Sequence, residues 1–315
     1  MNRLRQLLRQ DTAGDPMARR GVWTGLRLRK ISEQLKGLGL DICPNTVRSL
    51  LGKLNYALHA NRKSFSRTRS PERDRQFRFI RRQRNQYARG GCPIISVDTK
   101  KKELVGRFKN PGRVWSRLPT PVYDHDFRSW ADFLAVPYGL YDTERNRGSV
   151  FVGTSHDTPA FAVDAICQWW RREGRQHYRG AKRLLILADS GGSNGARCRA
   201  WKFALQAKLA DPYQLDVTVC HYPPGASKWN PIEHRLFSEV SKQWAGIPLE
   251  TAGILLDQIR RTRTQTGLRV KSYLVTKTYL TGQKPSKEQF AQISLKPHSI
   301  LPQWNYTIYC RSNRN

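Results

Sequence analysis

Near the start of the chain, apolar residues recur every three or four positions in two places. Ile31, Leu35 and Leu38 share one helical face, "GLGLDICP" interrupts, and Val47, Leu50, Leu51 and Leu54 form a second stripe. The spacing predicts two short helices within residues 25–58, the second capped by Asn45. Thr46, Arg48, Ser49 and Lys53 fall off the second stripe and offer polar and basic groups. Two short helices around a tight turn, the second so decorated, read as a helix-turn-helix that touches DNA with those four residues.

Past Cys92 the period changes. "PIISVD", "ELVGRF" and "GSVFVGT" predict three strands. "AFAVDAICQWWRR" predicts a helix with Phe161, Ala165, Ile166 and Trp169 inward. "RLLILAD" is a fourth strand, "GARCRAWKFALQAKLA" a helix, and "LDVTVCH" a fifth strand. This order predicts an α/β domain with a mixed sheet. Farther on, "LETAGILLDQIRRTRTQTGL" predicts a helix, "KSYLVTKTYL" an extended piece, and Ser286 a helix start. Four segments follow: a helical DNA-binding region at 1–58, a basic linker or phosphate-binding segment at 59–90, a catalytic domain at 91–245, and a C-terminal extension packed on it at 246–315.

Charge adds a partner. The 315 residues hold 56 Lys and Arg against 24 Asp and Glu, a formal net charge of +32 that repels itself unless a polyanion neutralises it. Double-stranded DNA is the expected partner, and Arg62 and Lys63, Lys100, Lys101 and Lys102, and Lys228 beside Trp229 are its expected contacts. The six cysteines have neither disulfide nor zinc spacing. No secretory signal or membrane-spanning run is present, which predicts a cytoplasmic, nucleoid-associated protein.

Two predicted strands end in acids, Asp98 in "SVD" and Asp189 in "LAD". If the strands are neighbours, two like charges meet at one sheet edge, an arrangement that a divalent cation relieves. In "HYPPGASKWNPIEHRLFSEV", a loop leads into a helix carrying a third acid, Glu233. Asn230, three residues earlier, is placed to cap that helix and support the site, as are His234 beside Glu233 and Ser193 and Asn194 in the glycine-rich turn after Asp189. Three carboxylates suffice for two Mg²⁺ or Mn²⁺ ions, and hence for phosphodiester hydrolysis and transfer. "GGSNG" also fits the G-x-S-x-G elbow of a serine hydrolase using Ser193 with Asp216 and His221 or His234. That alternative puts the serine four residues past the strand end and leaves the charge unexplained. A metal-dependent nuclease without strand transfer and a non-catalytic DNA-binding protein are further alternatives.

The blocks "ISVDTKKKELVGRFKN", "FVGTSHDTPAFAV", "LLILADSGGSNG", "VCHYPPGASKWNPIEHRLFSEV" and "WNYTIY" resemble those of DDE transposases of the ISAzo13 family of bacterial insertion sequences. The resemblance implies an RNase H-like catalytic domain preceded by a helical DNA-binding region. It implies that Asp98, Asp189 and Glu233 are the catalytic, metal-binding triad. It further implies cleavage and strand transfer at terminal inverted repeats by a dimer or higher oligomer on DNA. Ser190 stands where the family more often has glycine. Less DNA-binding sequence precedes the helix-turn-helix than in relatives, an arrangement expected to weaken recognition of the element's ends.

Overall fold

The computed structural model describes residues 2–13, 23–58 and 72–311. The chain forms two compact units, Met1–Phe65 and Ser66–Asn315. Arg62 and Lys63 lie outside the described residues.

In the first unit, helices α1 (Asn2–Asp11), α2 (Leu28–Gly37) and α3 (Pro44–Lys53) surround one core. Leu4, Leu7 and Leu8 of α1 meet Ile31 and Leu35 of α2 and Val47 of α3. Gly39, at φ +79, ends α2, and the Leu40 amide bonds back to the Leu35 carbonyl at 2.9 Å. Two expectations change here. Leu38 caps α2 and is half exposed, so it leaves the apolar stripe. Cys43, not Asn45, is the N-cap of α3, because Pro44 takes the first helical position, where a missing N–H costs nothing.

The second unit is built on a nine-stranded mixed sheet. Its strands are β1 (Ile94–Thr99), β2 (Glu103–Val105), β3 (Phe133–Asp142), β4 (Arg147–Gly153), β5 (Arg183–Ala188), β6 (Asp216–His221), β7 (Arg269–Val275), β8 (Leu295–Pro297) and β9 (Asn305–Ile308). The order is β8-β9-β6-β5-β1-β3-β4-β7, with β2 paired to β3. β1, β5 and β6 run parallel, while β3 is antiparallel to both β1 and β4. Three antiparallel strands followed by parallel ones on the far side of β1 make an RNase H-like fold. The ten-residue β3 escapes sequence reading because Pro137 and Gly139 interrupt its apolar run. The C-terminal stretch does more than pack on the sheet. β7 extends one edge beside β4, and β9 extends the other beside β6.

Strand alternation sends Ile95, Val97, Leu184 and Ile186 to one face, under α5 (Pro159–Trp169) and α6 (Arg199–Leu205), where Trp201 is fully buried. Ile94, Leu185, Leu187 and Cys220 point to the other face, against Phe79, Ile80 and Tyr87 of α4 (Glu72–Arg89). α4 is thus part of the second unit. Its buried Gln76 exchanges hydrogen bonds with the Asn305 carboxamide at 2.6 and 2.8 Å, and Tyr87 donates to the Thr218 hydroxyl at 2.7 Å. Also on this face, a wide helical turn, Glu233–Phe237, leads into α7 (Ser238–Gln243) and packs beside α8 (Ala252–Arg261) through Leu236, Phe237, Leu255 and Ile259. Among the described residues no helix is long and apolar enough to cross a membrane.

Gly139 of β3 pairs with Asp98 and lies beneath this turn. A Cβ there would stand 2.5 Å from the Phe237 ring and 2.9 Å from Ile232, the residue before Glu233. Gly139→Ala is therefore expected to lift the turn and destabilise the fold by about 1–3 kcal/mol, as overpacking does. Urea denaturation measures this, and a change below ~0.5 kcal/mol would mean the turn yields without cost.

Candidate active site

Val97 of β1 lies opposite Ala188 of the parallel strand β5. The next residue on each strand is an acid, so Asp98 and Asp189 emerge side by side at one sheet edge, although 91 residues separate them in sequence. Neighbouring strands lie only ~4.8 Å apart. Both carboxyls are therefore within range of strong mutual repulsion.

The third acid arrives on the turn above Gly139. Asn230, fully buried, joins that turn to both strands. Its carboxamide accepts from Ser96 of β1 and donates to the Asp189 carboxylate at 3.0 Å. The Ser96 hydroxyl also accepts from the Ile232 amide at 3.2 Å, and the Glu233 amide bonds to the Asn230 carbonyl at 3.1 Å. One short polar network thus fixes the start of the Glu233 turn on the strands that carry the two aspartates.

The electrostatics show the three acids converging. Burial, then the charge of Asp189, pushes Asp98 up to about 8, and Glu233 and Asp157 add to the rise. Burial also raises Asp189, against the Asn230 hydrogen bond. Burial, then Asp189, raises Glu233, while a hydrogen bond with Asp98 opposes the rise. Burial thus favours the uncharged form of each carboxyl, and Asp98 and Glu233 lie close enough for each to act on the other. Among the described residues no three His, Cys, Asp or Glu side chains are arranged as a ready metal cage. The donor set still fits a hard cation: three carboxyls supply only oxygen, and a positive charge among them would relieve the repulsion that raises Asp98 and Glu233.

Residues around the acids divide into structural and open groups. His221 is fully buried and held down to about 4 by that burial, so it is neutral. Its Nδ1 donates to the Asp189 carbonyl at 2.8 Å, and its Nε2 accepts from Tyr306 at 3.2 Å. That satisfies the ring as a structural brace. Asp216 and His221 occupy opposite ends of β6, ~17 Å apart at 3.3–3.4 Å per residue. No Asp–His pair for a serine hydrolase can form from them. His234 is exposed and bonds through Nε2 to the Lys228 carbonyl. Ser190 donates to the Tyr222 carbonyl, a tie across the loop ends that a glycine lacks.

Ser193 and Asn194 are buried in the turn after Asp189, and Ser193 Oγ and Asn194 Nδ2 have no hydrogen-bond partner. The Tyr138 hydroxyl, deep in the core and close enough to feel the charges of Asp98 and Asp157, has none either. Asp157 is a fourth acid that the sequence did not single out. It accepts from the Thr99 hydroxyl at 3.2 Å, and it stands in a loop with no strand-end signal.

Of the expected DNA contacts, Thr46, Arg48, Ser49 and Lys53 are exposed on α3, with Thr46 also 3.3 Å from the Cys43 thiol. Lys101 and Lys102 are exposed after β1. Lys100 departs from expectation. Its ammonium is largely buried, paired with Glu103 at 2.7 Å and lying 4.5 Å from the Trp244 ring centre, so its charge is used inside the protein. Trp229 is half exposed, with the Arg73 guanidinium 4.3 Å and the Lys228 ammonium 4.1 Å from its ring centre. His125 and Asp124 are exposed and pair at 3.1 Å within the β2–β3 connection.

A carboxyl raised by folding stabilises the protein fully below its unfolded value and loses that contribution as pH climbs through the folded one. For Asp98 the loss runs from about pH 4 to about pH 8. Asp98→Asn, which cannot ionise, is expected to melt on the order of 5 °C above the metal-free wild type at pH 9 and much closer to it at pH 5.5. Thermal melts in EDTA decide this. A difference that does not change with pH would show that Asp98 is not desolvated by its neighbours.

The family described as Rhodopirellula transposase DDE domain matches residues 3–310. No curated protein matches the chain. Among solved structures, the Mos1 transposase paired-end complex with left transposon end is 14% identical, with a TM-score of 0.43 over 80% of this chain and 67% of that one. The Mos1 Strand Transfer Complex is 15% identical, with a TM-score of 0.42 over 81% and 67%. These are loose likenesses, and the strand order defines the fold without them. The match across nearly the whole length is decisive: the chain belongs to the Rhodopirellula transposase DDE domain family, and it is a DDE transposase.

Proposed function

We propose that this transposase cuts DNA at the ends of its insertion sequence and joins the freed strands to target DNA, with Asp98, Asp189 and Glu233 as its catalytic acids. The observation that supports this most directly is the parallel register of β1 and β5, which sets two acids side by side beneath a turn bearing the third. Two Mg²⁺ or Mn²⁺ ions held by these carboxyls would supply activation of the attacking water or 3′-hydroxyl and stabilisation of the leaving oxygen.

The protein's own part is positioning. Asp98 and Asp189 sit at the ends of rigid, buried strands, which favours a fixed ligand geometry. Asn230 orients the Asp189 carboxylate through its 3.0 Å hydrogen bond and anchors the Glu233 turn. Glu233 approaches from the helix side and closes the set. Recognition falls to the basic surface. α3 presents Arg48, Ser49 and Lys53 in the manner of a recognition helix, and terminal inverted repeats are the sequence it would read. Lys101, Lys102 and Lys228 add phosphate contacts near the acids. A dimer or higher oligomer on DNA is expected because two element ends must be processed together.

The test uses a supercoiled plasmid carrying the DNA that flanks this gene, incubated with the full chain and Mn²⁺ or Mg²⁺. Strand ends and junctions are mapped by sequencing. Cuts at the element ends and joined products are expected from the wild type. Asp98→Asn and Glu233→Gln should each lower both by 10³-fold or more (on the order of 4 kcal/mol) while leaving DNA binding intact. Asn230→Ala should lower the rate without changing affinity for DNA. Cleavage without joining would reduce the protein to a nuclease, and equal activity in wild type and Asp98→Asn would remove these acids from the chemistry.

A further inference from the structure

The flank of α4 that faces the Glu233 loop carries its own chemistry. Arg73 lies over the Trp229 ring, and Phe77 packs against Trp229 and Tyr222 at 5.7 and 6.1 Å between ring centres. Farther along the same flank, Arg84 reaches a cleft of about 830 Å³ that continues from the Glu233 turn. Tyr141, Asn146, Pro231, His234 and Arg235 line it with Arg84, and no acidic side chain does. Arg84 Nε is buried in the protein and has no hydrogen-bond partner. A guanidinium nitrogen withdrawn from water and left unsatisfied is costly unless an acceptor arrives.

Neighbouring groups reinforce the cationic character. The charges of Arg235 and Arg84 both act on the Tyr141 phenol, which is committed to Asn146 at 3.0 Å. Asp142, next on β3, and Glu144 also act on that phenol, but neither lines the cleft, and Asp142 is committed elsewhere. It points to the opposite face of the sheet, where the Tyr178 hydroxyl bonds it at 2.8 and 2.9 Å. Three basic side chains from two elements thus line a cleft that holds no acid, where an anion with several acceptor oxygens fits. Tyr141 pairs with Ser96, two residues from Asp98 along β1. That offset is ~7 Å at 3.3 Å per residue, comparable to two base steps of a DNA strand.

We propose that this cleft, built from Arg84, His234 and Arg235, is a phosphodiester-binding subsite for the DNA strand held at the acids, an assignment that rests on the function proposed above. The arginines would fork onto phosphate oxygens, as guanidinium groups do. Because His234 and Arg235 directly follow Glu233, a phosphate seated here would also fix the turn that bears the third acid.

The test measures binding apart from chemistry. Affinity of the full chain for a duplex of the element end is followed by fluorescence anisotropy in EDTA across a salt series. Arg84→Gln and Arg235→Gln are each compared with Arg179→Gln, an exchange outside the cleft. Each cleft variant is expected to bind more weakly and to reduce the slope of log K against log salt by about one, the signature of one lost phosphate contact. Arg179→Gln should keep the wild-type slope. Arg235 is exposed, so its variant keeps the test valid if Arg84→Gln fails to fold. Wild-type slopes in both variants would overturn the assignment. So would stabilisation of the wild type by inorganic phosphate with unchanged DNA slopes, because the cleft would then take free phosphate only. If the wild type itself fails to bind duplex DNA, the proposed function fails first. If it binds but does not cut, the subsite is still decided by the slopes.

Discussion

The catalytic unit depends on holding three like charges together at the end of a sheet. Nothing about carboxylates favours this. Burial raises all three, and the charge of Asp189 raises Asp98 and Glu233 further. The force that assembles them comes from elsewhere. Ile94, Ile95 and Val97 of β1, and Leu185, Ile186 and Leu187 of β5, are fully buried on both sheet faces. Their burial fixes the register that places the two aspartates together. Asn230 then converts apolar packing into polar precision, since one carboxamide contacts both strands at the root of the Glu233 turn.

The helices beneath the site serve the same end. Gly139 and Gly148 leave room for Phe237 and Leu236, so the Glu233 turn sits directly on β3 and β4. The turn is wider than a regular α-helix over Glu233–Phe237, a feature often found at functional positions. On the other flank, α4 is anchored by Gln76 and Tyr87 and supports Trp229, eight residues after β6 ends. A segment rich enough in arginine to look like a solvated linker becomes, over residues 72–89, a buttress for the catalytic loop.

Some of this was readable in the sequence. The strand-end acids stood out because a short apolar run ending in Asp occurs twice, and the N-P-x-E spacing marked the helix bearing the third. Trp169 was expected to point inward and is buried there. What escaped depended on pairing rather than on local pattern. β3 was hidden by Pro137 and Gly139, yet the same glycine is what lets Ile232 and Phe237 approach Asp98's partner strand. Asp157 carries no strand-end signal and meets Asp98 only because β4 lies two strands away in the sheet. Lys100 looked like its neighbours Lys101 and Lys102, but the register brings Glu103 and Trp244 to it alone. Local composition cannot separate three consecutive lysines.

The unsatisfied groups around the acids belong to the same economy. Tyr138 Oη, which feels the charges of Asp98 and Asp157, and Ser193 Oγ and Asn194 Nδ2 in the turn after Asp189 are buried without partners. Each such group costs on the order of 1–3 kcal/mol, and a fold selected for stability alone would have replaced them. His221 shows that the chain can satisfy a buried polar group at this edge, for it is bonded at both nitrogens within one residue of β5's end. The contrast separates the two sides of Asp189. On the side of β6, a closed network of His221, Tyr306 and Trp201 holds the strand end rigid. On the side of β1 lie unsatisfied polar groups and buried carboxyls, for which burial disfavours the charged form. An active site for anionic substrate and cationic cofactor needs both: a rigid side to set the geometry, and an open side whose electrostatic cost is relieved only when substrate and cation arrive.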